Sequence, residues 1–230
     1  MYKNIAFIIL FSILLCCGCE MSNLNNNTPT KLLSCDVKQL IGVTFDDIEK
    51  IYGDADKSTY YINSKDLSKI NRDYTSLRDF RYHSIIRSYY NINKNEDYII
   101  LWYKNNKVID AFFNEKDIIN TYNIDNELKN IDIKIDYFKY SSYIKSKSTL
   151  DKYKVFIGND IKNFNKNYNL NCPYIVVNLL KNNKTFYFYN LKEDNVNKKN
   201  CLFVSTEVGK ITHINIINSS KICETIMNYI

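Results

Sequence analysis

Glycine, proline and histidine are scarce in this chain of 230 residues, which contains five Gly, two Pro and two His. Five glycines are too few for the Gly-rich loop that cradles a phosphate group, and no segment shows such a motif. The signatures Gly-x-Ser-x-Gly and His-Glu-x-x-His are also missing, which excludes two common kinds of hydrolase site. An isolated His is more often a polar surface residue than a catalytic base. The sequence therefore predicts a protein that is not an enzyme and that uses no cofactor and no metal.

Basic residues are not concentrated in any one segment. The chain has 31 Lys or Arg and 25 Asp or Glu, a net charge of +6, and the two signs are interleaved. This pattern is typical of a solvated surface and lacks the basic stripe that indicates nucleic-acid binding. Hydrophobic residues make up 45% of the chain, which is enough for a packed core. We therefore expect a folded protein that binds no nucleic acid.

The start of the chain has the character of an export signal. Lys3 supplies a positive charge, and residues 5–15 are almost wholly apolar. A helix of that length spans roughly 16 Å, about half of the hydrocarbon core of a bilayer. It is too short to cross a membrane but fits the apolar region of a secretory signal peptide, so we expect export.

Three cysteines crowd the end of this apolar stretch, in the order Cys16-Cys17-Gly18-Cys19. A small residue followed by a cysteine resembles the lipobox of bacterial lipoproteins, whose cysteine receives diacylglycerol and palmitate and becomes the mature N-terminus. Gly18 makes Cys19 the preferred lipidation site, and Cys17 is the second choice. A plain signal peptide with incidental cysteines is the alternative.

The lipobox resemblance implies a lipoprotein anchored by its N-terminal acyl groups to the cell membrane or the outer membrane. Residues 1–19 are then the signal peptide with its cysteines. Residues 20–34 are polar and rich in Asn, without an apolar period, so they predict a flexible tether between the membrane and the folded part.

Four cysteines follow the tether: Cys35, Cys172, Cys201 and Cys223. Export would place them in an oxidising compartment, where they allow three pairings that sequence alone does not settle. We predict a Cys201–Cys223 disulfide, because the start of one strand and the end of its neighbour in a meander lie at the same edge. No Cys-x-x-Cys among these four supports the rival hypothesis of a metal site.

One segment of the chain recurs without a gap, as residues 40–53 and again as residues 156–169. The aligned polar and glycine positions are Gly42 with Gly158, Thr44 with Asp160, and Gly53 with Asn169. Thr and Asp both cap the N-terminus of a helix, and the apolar matches that follow lie on one helical stripe. Gly and Asn are the residue types that best tolerate the left-handed conformation after a helix. Each copy therefore predicts a capped helix.

Each copy also lies near the start of a longer stretch. In both stretches a short helix comes first, the repeated helix follows, and four strands come last. The first stretch is residues 35–125 and the second is residues 126–230. The predicted helices are 36–41, 44–52, 150–157 and 160–168. The predicted strands are 59–62, 81–90, 98–103, 107–113, 174–180, 185–189, 202–205 and 211–217. The sequence thus predicts an α+β fold with two tandem helix–helix–four-strand modules of antiparallel sheet.

Two further elements are predicted outside this plan. Residues 131–137 alternate strictly between apolar and polar side chains, which predicts an additional strand between the modules. Ile222, Ile226 and Ile230 recur at helical spacing, which predicts a closing helix.

An antiparallel sheet with helices on one face leaves its other face to water or to a partner. The alternation in the last strand of each module predicts which face of the sheet each side chain occupies. The side chains expected on the helix-covered face are those of Ile109, Ala111, Phe113, Thr212, Ile214 and Ile216. The side chains expected on the open face are those of Val108, Asp110, Phe112, Ile211, His213 and Asn215. Phe186 and Phe188 are expected to point inward, and Tyr187 and Tyr189 outward. Because Tyr and Trp suit protein interfaces, we predict an open binding face made of Trp102, Asp110, Phe112, Tyr187, Tyr189 and His213.

At this point the chain resembles a known family. The run from Gly42 to Gly53 behind a lipoprotein leader, with a strand–turn–strand at 100–113, looks like the SmpA/OmlA (BamE-like) lipoprotein module. That family contributes a small α/β accessory subunit to outer-membrane β-barrel assembly. Two such modules in tandem are similar in plan to the fold of the β-lactamase inhibitory protein, which binds its target through an aromatic-rich concave sheet.

The resemblance implies a non-catalytic protein of the cell envelope that binds another envelope protein or an external protein partner. Two alternatives remain open. One is a hydrolase of envelope material, which would bring His213 next to Asp110 or a Ser. The other is a surface-exposed structural or antigenic lipoprotein with no fixed partner.

The anchor is testable by metabolic labelling with a radioactive fatty acid. Replacing Cys19 by Ala is expected to abolish the label, because the acylated sulfur is lost, whereas the matched Cys17→Ala variant is expected to keep it. Label that persists in Cys19→Ala and disappears in Cys17→Ala would move the lipidation site to Cys17.

Overall fold

Residues 37–67, 76–92, 97–114, 128–145, 149–192 and 199–229 are described by the computed structural model of the protein. The predicted lipidation cysteines, the tether, Cys35 and Ile230 lie outside these ranges. Within them, no helix has both the length and the apolar character needed to span a membrane. Residues Asp36–Ile230 form one compact unit. The unit combines helices with a large antiparallel sheet, so the predicted α+β class is confirmed.

Ten strands form one sheet. They are β1 (Lys57–Ile62), β2 (Ile85–Asn91), β3 (Tyr98–Lys104), β4 (Lys107–Phe113), β5 (Ile133–Phe138), β6 (Tyr143–Lys145), β7 (Ile175–Leu179), β8 (Lys184–Lys192), β9 (Asn200–Glu207) and β10 (Lys210–Asn218). Nine of them follow the order β10-β9-β8-β7-β5-β1-β2-β3-β4, each antiparallel to its neighbours. The short β6, which the sequence did not predict, pairs in parallel with β8.

The helices surround this sheet. The α-helices are α1 (Phe45–Tyr52), α2 (Ser64–Leu67), α3 (Leu150–Lys154), α4 (Ile161–Tyr168) and α5 (Ile222–Tyr229). The 3₁₀-helices are Val37–Leu40, Leu77–Tyr82 and Ser219–Lys221. The second predicted strand therefore begins later than expected, because a capping box between Ser76 and Asp79 starts a 3₁₀-helix there.

The repeated helices begin and end as their caps predict. The Thr44 side chain accepts a hydrogen bond from the Asp47 N–H at 3.2 Å before α1, and Asp160 accepts one from the Lys162 N–H at 2.8 Å before α4. These bonds satisfy amide groups that have no partner within the helix. At the other end, Asn169 adopts the left-handed conformation after α4, with φ 52°. The two predicted helices are confirmed.

The two copies also make the same backbone hydrogen bonds to the sheet. Gly42 N–H donates to the Val108 carbonyl and Gly158 N–H donates to the Ile211 carbonyl, at 2.8 Å in both cases. The N–H groups of Val108 and Ile211 donate back to the residue after each glycine, at 2.9 Å in both cases. The glycines have φ values of +89° and +88°, which side chains disfavour. Each glycine therefore fixes its helix to the outer strand of its half of the sheet, β4 or β10.

Strand β5 determines on which side of the sheet these helices lie. It pairs antiparallel with β1 on one side and with β7 on the other, so β1 and β7 run in the same direction. A two-fold axis that relates β1–β4 to β7–β10 must then lie along β5, and such an axis exchanges the two faces of the sheet. The ring contacts agree, because Phe45 of α1 lies 5.0 Å from Tyr103 and Phe164 of α4 lies 5.8 Å from Tyr189.

We name the two faces after these helices. Following the pairing register across the sheet, the α1 face carries Tyr103, Ile86, Tyr60, Ile135, Val177 and Phe186. The α4 face carries Trp102, Arg87, Thr59, Asp136, Val176 and Tyr187. The helices of the two halves thus lie on opposite faces. The prediction of one open face shared by both halves is therefore wrong, because the extra strand inverts the second half.

Helix α5 covers the α1 face of the second half. The ring of Tyr229 lies 5.2 Å from Phe186 and 5.3 Å from Phe203. Both faces of this half are thus covered, and the predicted open face does not exist there. Tyr187 and Tyr189 point toward α3 and α4, the opposite of the inward and outward sides that were predicted.

A β-bulge explains why the predicted sides of Val108 and Ile211 are wrong, whereas the residues after each bulge, Ala111, Phe113, Ile214 and Ile216, lie on the helix side as predicted. Tyr103 pairs with Val108 and Trp102 with Asp110, which leaves Ile109 as an extra residue. In the equivalent strand β10, Thr212 is the extra residue between Ile211 and His213. An extra residue reverses the alternation. Val108 and Ile211, which were predicted to be open, are therefore buried on the helix side.

Asp132, just before β5, joins three parts of the fold. Its carboxylate accepts hydrogen bonds from the Ser64 N–H at the start of α2, at 2.6 Å, and from the Lys181 ammonium after β7, at 2.8 Å. Burial raises the pKa of Asp132, but the bonds from Lys181 and Ser64 outweigh it and hold the pKa below the ordinary value of 3.8. The folded state thus favours the ionised carboxylate.

Replacing Asp132 by Asn is expected to lower the free energy of unfolding at pH 7 by about 1–3 kcal/mol, because charge-assisted hydrogen bonds are lost. The pKa is lower in the folded state, so this stabilisation is present above about pH 4 and disappears as the pH falls through the folded value. Urea denaturation at pH 7 and pH 3 measures both effects. The exposed control Asp151→Asn should change little, and an equal loss for Asp132→Asn at both pH values would contradict the linkage.

Candidate functional site

The predicted binding residues of the first half are buried. Trp102, Asp110 and Phe112 are only 4%, 4% and 7% exposed and lie on the α4 face, where Trp102 and Phe112 form a cluster with Ile85 and Ile100. The Asp110 carboxylate accepts a hydrogen bond from Lys38 at 2.7 Å. This part of the predicted open face is therefore core, and sequence alternation could not reveal that both faces are covered.

The remaining predicted residues lie elsewhere. Tyr189 is buried and its hydroxyl donates to Asn165 of α4 at 2.7 Å, while Tyr187 stacks beside it at 6.2 Å. His213 is exposed on the α1 face of β10, with its ring 6.0 Å from Phe203. Asp110 lies on the opposite face of β4, at the other edge of the sheet. The structure does not gather the six residues and does not bring His213 and Asp110 together. The Ser that the hydrolase hypothesis allowed is present as Ser205, the strand partner of His213, and its hydroxyl lies 3.2 Å from the Thr212 hydroxyl.

The predicted disulfide is also not formed, since Cys201 and Cys223 are both free and buried. Cys223 does not follow a strand edge, as predicted, because the chain leaves the sheet after Asn218 and enters α5. The Cys201 thiol donates to the Asn190 side-chain oxygen at 3.5 Å. Burial raises the pKa of each of the two thiols to about 12, so neither is a reactive thiolate at neutral pH.

A cavity of ≈ 280 Å³ lies on the α1 face, where the two halves of the sheet meet. Its floor is formed by the central strands β1, β5 and β7, and its walls by α1, residues 76–78 and the start of α5. Helix α1 packs over the first half of the sheet and α5 over the second. The middle of this face lies between the two helices and is covered by neither, which leaves the cavity. We regard this cavity, named the central cavity below, as the candidate functional site.

The carboxylate of Glu49 reaches the central cavity from α1. Its side chain is 12% exposed and pairs with the guanidinium of Arg78, which also lies 3.5 Å from Asp46. Burial raises the pKa of Glu49, and this effect, together with the neighbouring Asp54 and Asp46, outweighs the lowering by Arg78. The site thus keeps a carboxylate whose charge is incompletely compensated.

Phenol side chains form much of the surface around Glu49. Tyr60 is 3% exposed, and burial followed by the nearby Glu49 raises its pKa. Tyr137 is shifted in the same direction by burial, Asp54 and Glu49, and Tyr174 has a pKa of about 12, raised first by burial. All three phenols are therefore neutral hydrogen-bond donors at neutral pH.

The side chain of Tyr60 is almost fully buried but lines the cavity, and its hydroxyl is not one of the described atoms that are both buried and unpaired, so it is accessible from the cavity. The neighbouring Ser58, by contrast, is paired with Ser88 at 2.8 Å. The Tyr60 hydroxyl is therefore available to a ligand group in the central cavity.

Sequence reasoning missed this site. In the sequence, Asp46, Asp47 and Glu49 are explained by the preference of acidic residues for the start of a helix, and this holds for Asp47, which bonds to Thr44 and Lys50. Glu49 is different because it lies four residues after the buried Phe45 and therefore shares its stripe. A carboxylate on the apolar stripe was the available signal. In the part of the chain that the structure describes, no group of three His, Cys, Asp or Glu side chains could hold a metal ion.

Comparison with known proteins adds no family, since no family model, curated protein or solved structure significantly matches the chain. The resemblance to the SmpA/OmlA module stays a prediction.

Tyr60→Phe is expected to leave the free energy of unfolding unchanged or to raise it, because a hydroxyl without a partner stabilises nothing. Tyr103→Phe is the matched control. It removes a buried hydroxyl that lies 3.1 Å from the hydroxyl of Tyr90, so a loss of about 1 kcal/mol is expected. Chemical denaturation of the two variants gives the comparison. A comparable loss for Tyr60→Phe would show that its hydroxyl already has a structural partner.

Proposed function

We propose that this protein is an exported, lipid-anchored lipoprotein of the cell envelope that binds another protein without catalysis, through the central cavity. Its folded part would consist of two tandem modules joined by β5. The proposal keeps the function predicted from the sequence and moves the binding site from the supposed open face to the middle of the α1 face.

The tandem layout is supported by the matched contacts of the two halves. Gly42 and Gly158 make the same hydrogen bonds at the same distances, and bulges follow at Ile109 and Thr212. The short bridges Thr44–Lys107 and Asp160–Lys210 are also equivalent. A local sequence match extends in this way to contacts with strands more than fifty residues away, which favours a repeated unit over a chance similarity of two helices.

The observation that carries the binding role is the central cavity, which is lined by the carboxylate of Glu49 and the phenol of Tyr60. Largely apolar concave sites with a few convergent polar groups are the usual form of binding sites in proteins. The volume of ≈ 280 Å³ lies just below the range of about 300–1,000 Å³ that is typical for drug-sized ligands. A single side chain fits such a space better, and anchor side chains of protein partners bind in desolvated pockets of this kind. A protein partner is therefore the occupant we favour.

Filling the central cavity is expected to abolish partner binding. Ser219 lines the cavity, so Ser219→Trp places a large ring there, whereas the exposed Ser220→Trp is a control with the same change one residue further on. Chemical cross-linking on intact cells, followed by affinity purification of the full chain, should recover a partner with the wild type and Ser220→Trp but not with Ser219→Trp. Circular dichroism establishes that both variants are folded. Equal recovery with the two variants would contradict binding at this site.

A further inference from the structure

We propose that the central cavity accepts the cationic side chain of a lysine or arginine from the partner protein. This inference rests on the proposed function and specifies the chemistry of the group that the cavity binds. It depends on three features of the site, namely its charge, its aromatic walls and the position of Arg78.

The charge of the cavity lining favours a cation. Glu49 and Asp54 contribute two carboxylates, whereas Arg78 is the one basic residue among the lining residues that the structure describes. Glu49 is mostly shielded from water, with 12% of its side chain exposed, so the attraction of its charge for a guest is weakly screened. An anionic guest would be repelled by both carboxylates. A purely apolar guest would leave both Glu49 and the Tyr60 hydroxyl without a new partner.

The aromatic walls also suit a cation. Phe45, Tyr60, Tyr137 and Tyr174 all line the cavity, and the last two rings meet edge to face at 5.5 Å. Lysine and arginine bind favourably over aromatic faces, especially where water is excluded. Their methylene groups would contact these rings while the charged end reaches Glu49. Both the methylene groups and the charged end of a lysine or arginine side chain would therefore make favourable contacts in the cavity.

Arg78 shows that the site already holds a cation from this same chain. Its guanidinium donates to Glu49, yet half of its side chain is exposed, so it contacts the carboxylate from the mouth of the cavity. Asp46 is shared between Arg78 and Arg81, and Arg81 lies closer, at 3.3 Å against 3.5 Å. If Arg78 moves aside, Asp46 keeps a basic partner and only Glu49 needs a new one. The guest cation would take the place of Arg78 at Glu49.

The test uses defined probes on the full-length, ¹⁵N-labelled chain in detergent micelles, followed by NMR titration. N-acetyl-lysine methylamide and N-acetyl-arginine methylamide are the cationic probes, and N-acetyl-norleucine methylamide is the neutral probe of similar length. We expect the cationic probes to shift the resonances of residues that line the cavity and the neutral probe to bind at least about tenfold more weakly. Equal affinity for norleucine, or no saturation with either cation, would overturn the proposal.

Two variants with the same change of charge complete the design. Glu49→Gln removes the carboxylate in the cavity and is expected to weaken binding of the cationic probes by roughly ten- to a hundredfold. Glu224→Gln, on an exposed position of α5, is the control and should bind as the wild type does. Identical affinities of the two variants would contradict the role of Glu49, and thermal unfolding establishes that each is folded.

The outcomes separate this inference from the proposed function. If Ser219→Trp loses the cross-linked partner while Glu49→Gln retains it, the central cavity binds a protein but not through a cation, and the inference made here is wrong. If Ser219→Trp retains the partner, the proposed site itself is wrong. Loss of the partner in both variants, together with tight binding of the cationic probes, supports both statements.

Discussion

The fold depends on the pairing of one strand with two neighbours. β5 is antiparallel to β1 and to β7, which joins ten strands into one sheet and gives the flanking strands the same direction. The backbone of β5 satisfies its hydrogen bonds on both sides, as a buried central strand must. Because the direction of β7 is fixed in this way, α4 can lie only on the face opposite α1. The opposite placement of α1 and α4 follows from these two pairings.

The position of the candidate site follows from the same constraint. With the helix pairs on opposite faces, each half of the sheet needs a second cover, and α5 supplies it for the second half. The central strands of the α1 face lie between α1 and α5, and there the lining becomes polar. The side chains of Ser58, Tyr60 and Tyr137 face the central cavity instead of a packed helix. Polar groups are thus concentrated at the seam between the two halves.

Local patterns in the sequence predicted local structure well. Thr44 and Asp160 identified two helices, and the alternation of residues 131–137 identified β5. The sidedness of the sheet was not predictable, because it depends on where β5 pairs, and that is a non-local property. A bulge at Ile109 or Thr212 looks like ordinary alternation in the sequence, so the sides of Val108 and Ile211, which precede the bulges, were assigned incorrectly. Glu49 was missed because an acidic residue near the start of a helix is already explained by the helix dipole.

The glycine contacts at the two ends of the sheet have one more consequence. β4 and β10 are edge strands, whose free backbone groups can pair with the strands of another molecule. The segments at Gly42 and Gly158 already occupy the backbone groups of Val108 and Ile211 near the start of each edge strand. A foreign strand that approached either edge would have to displace a helix cap before it could extend its pairing along the whole strand. The repeated segment therefore hinders edge-to-edge aggregation at both ends of the described sheet.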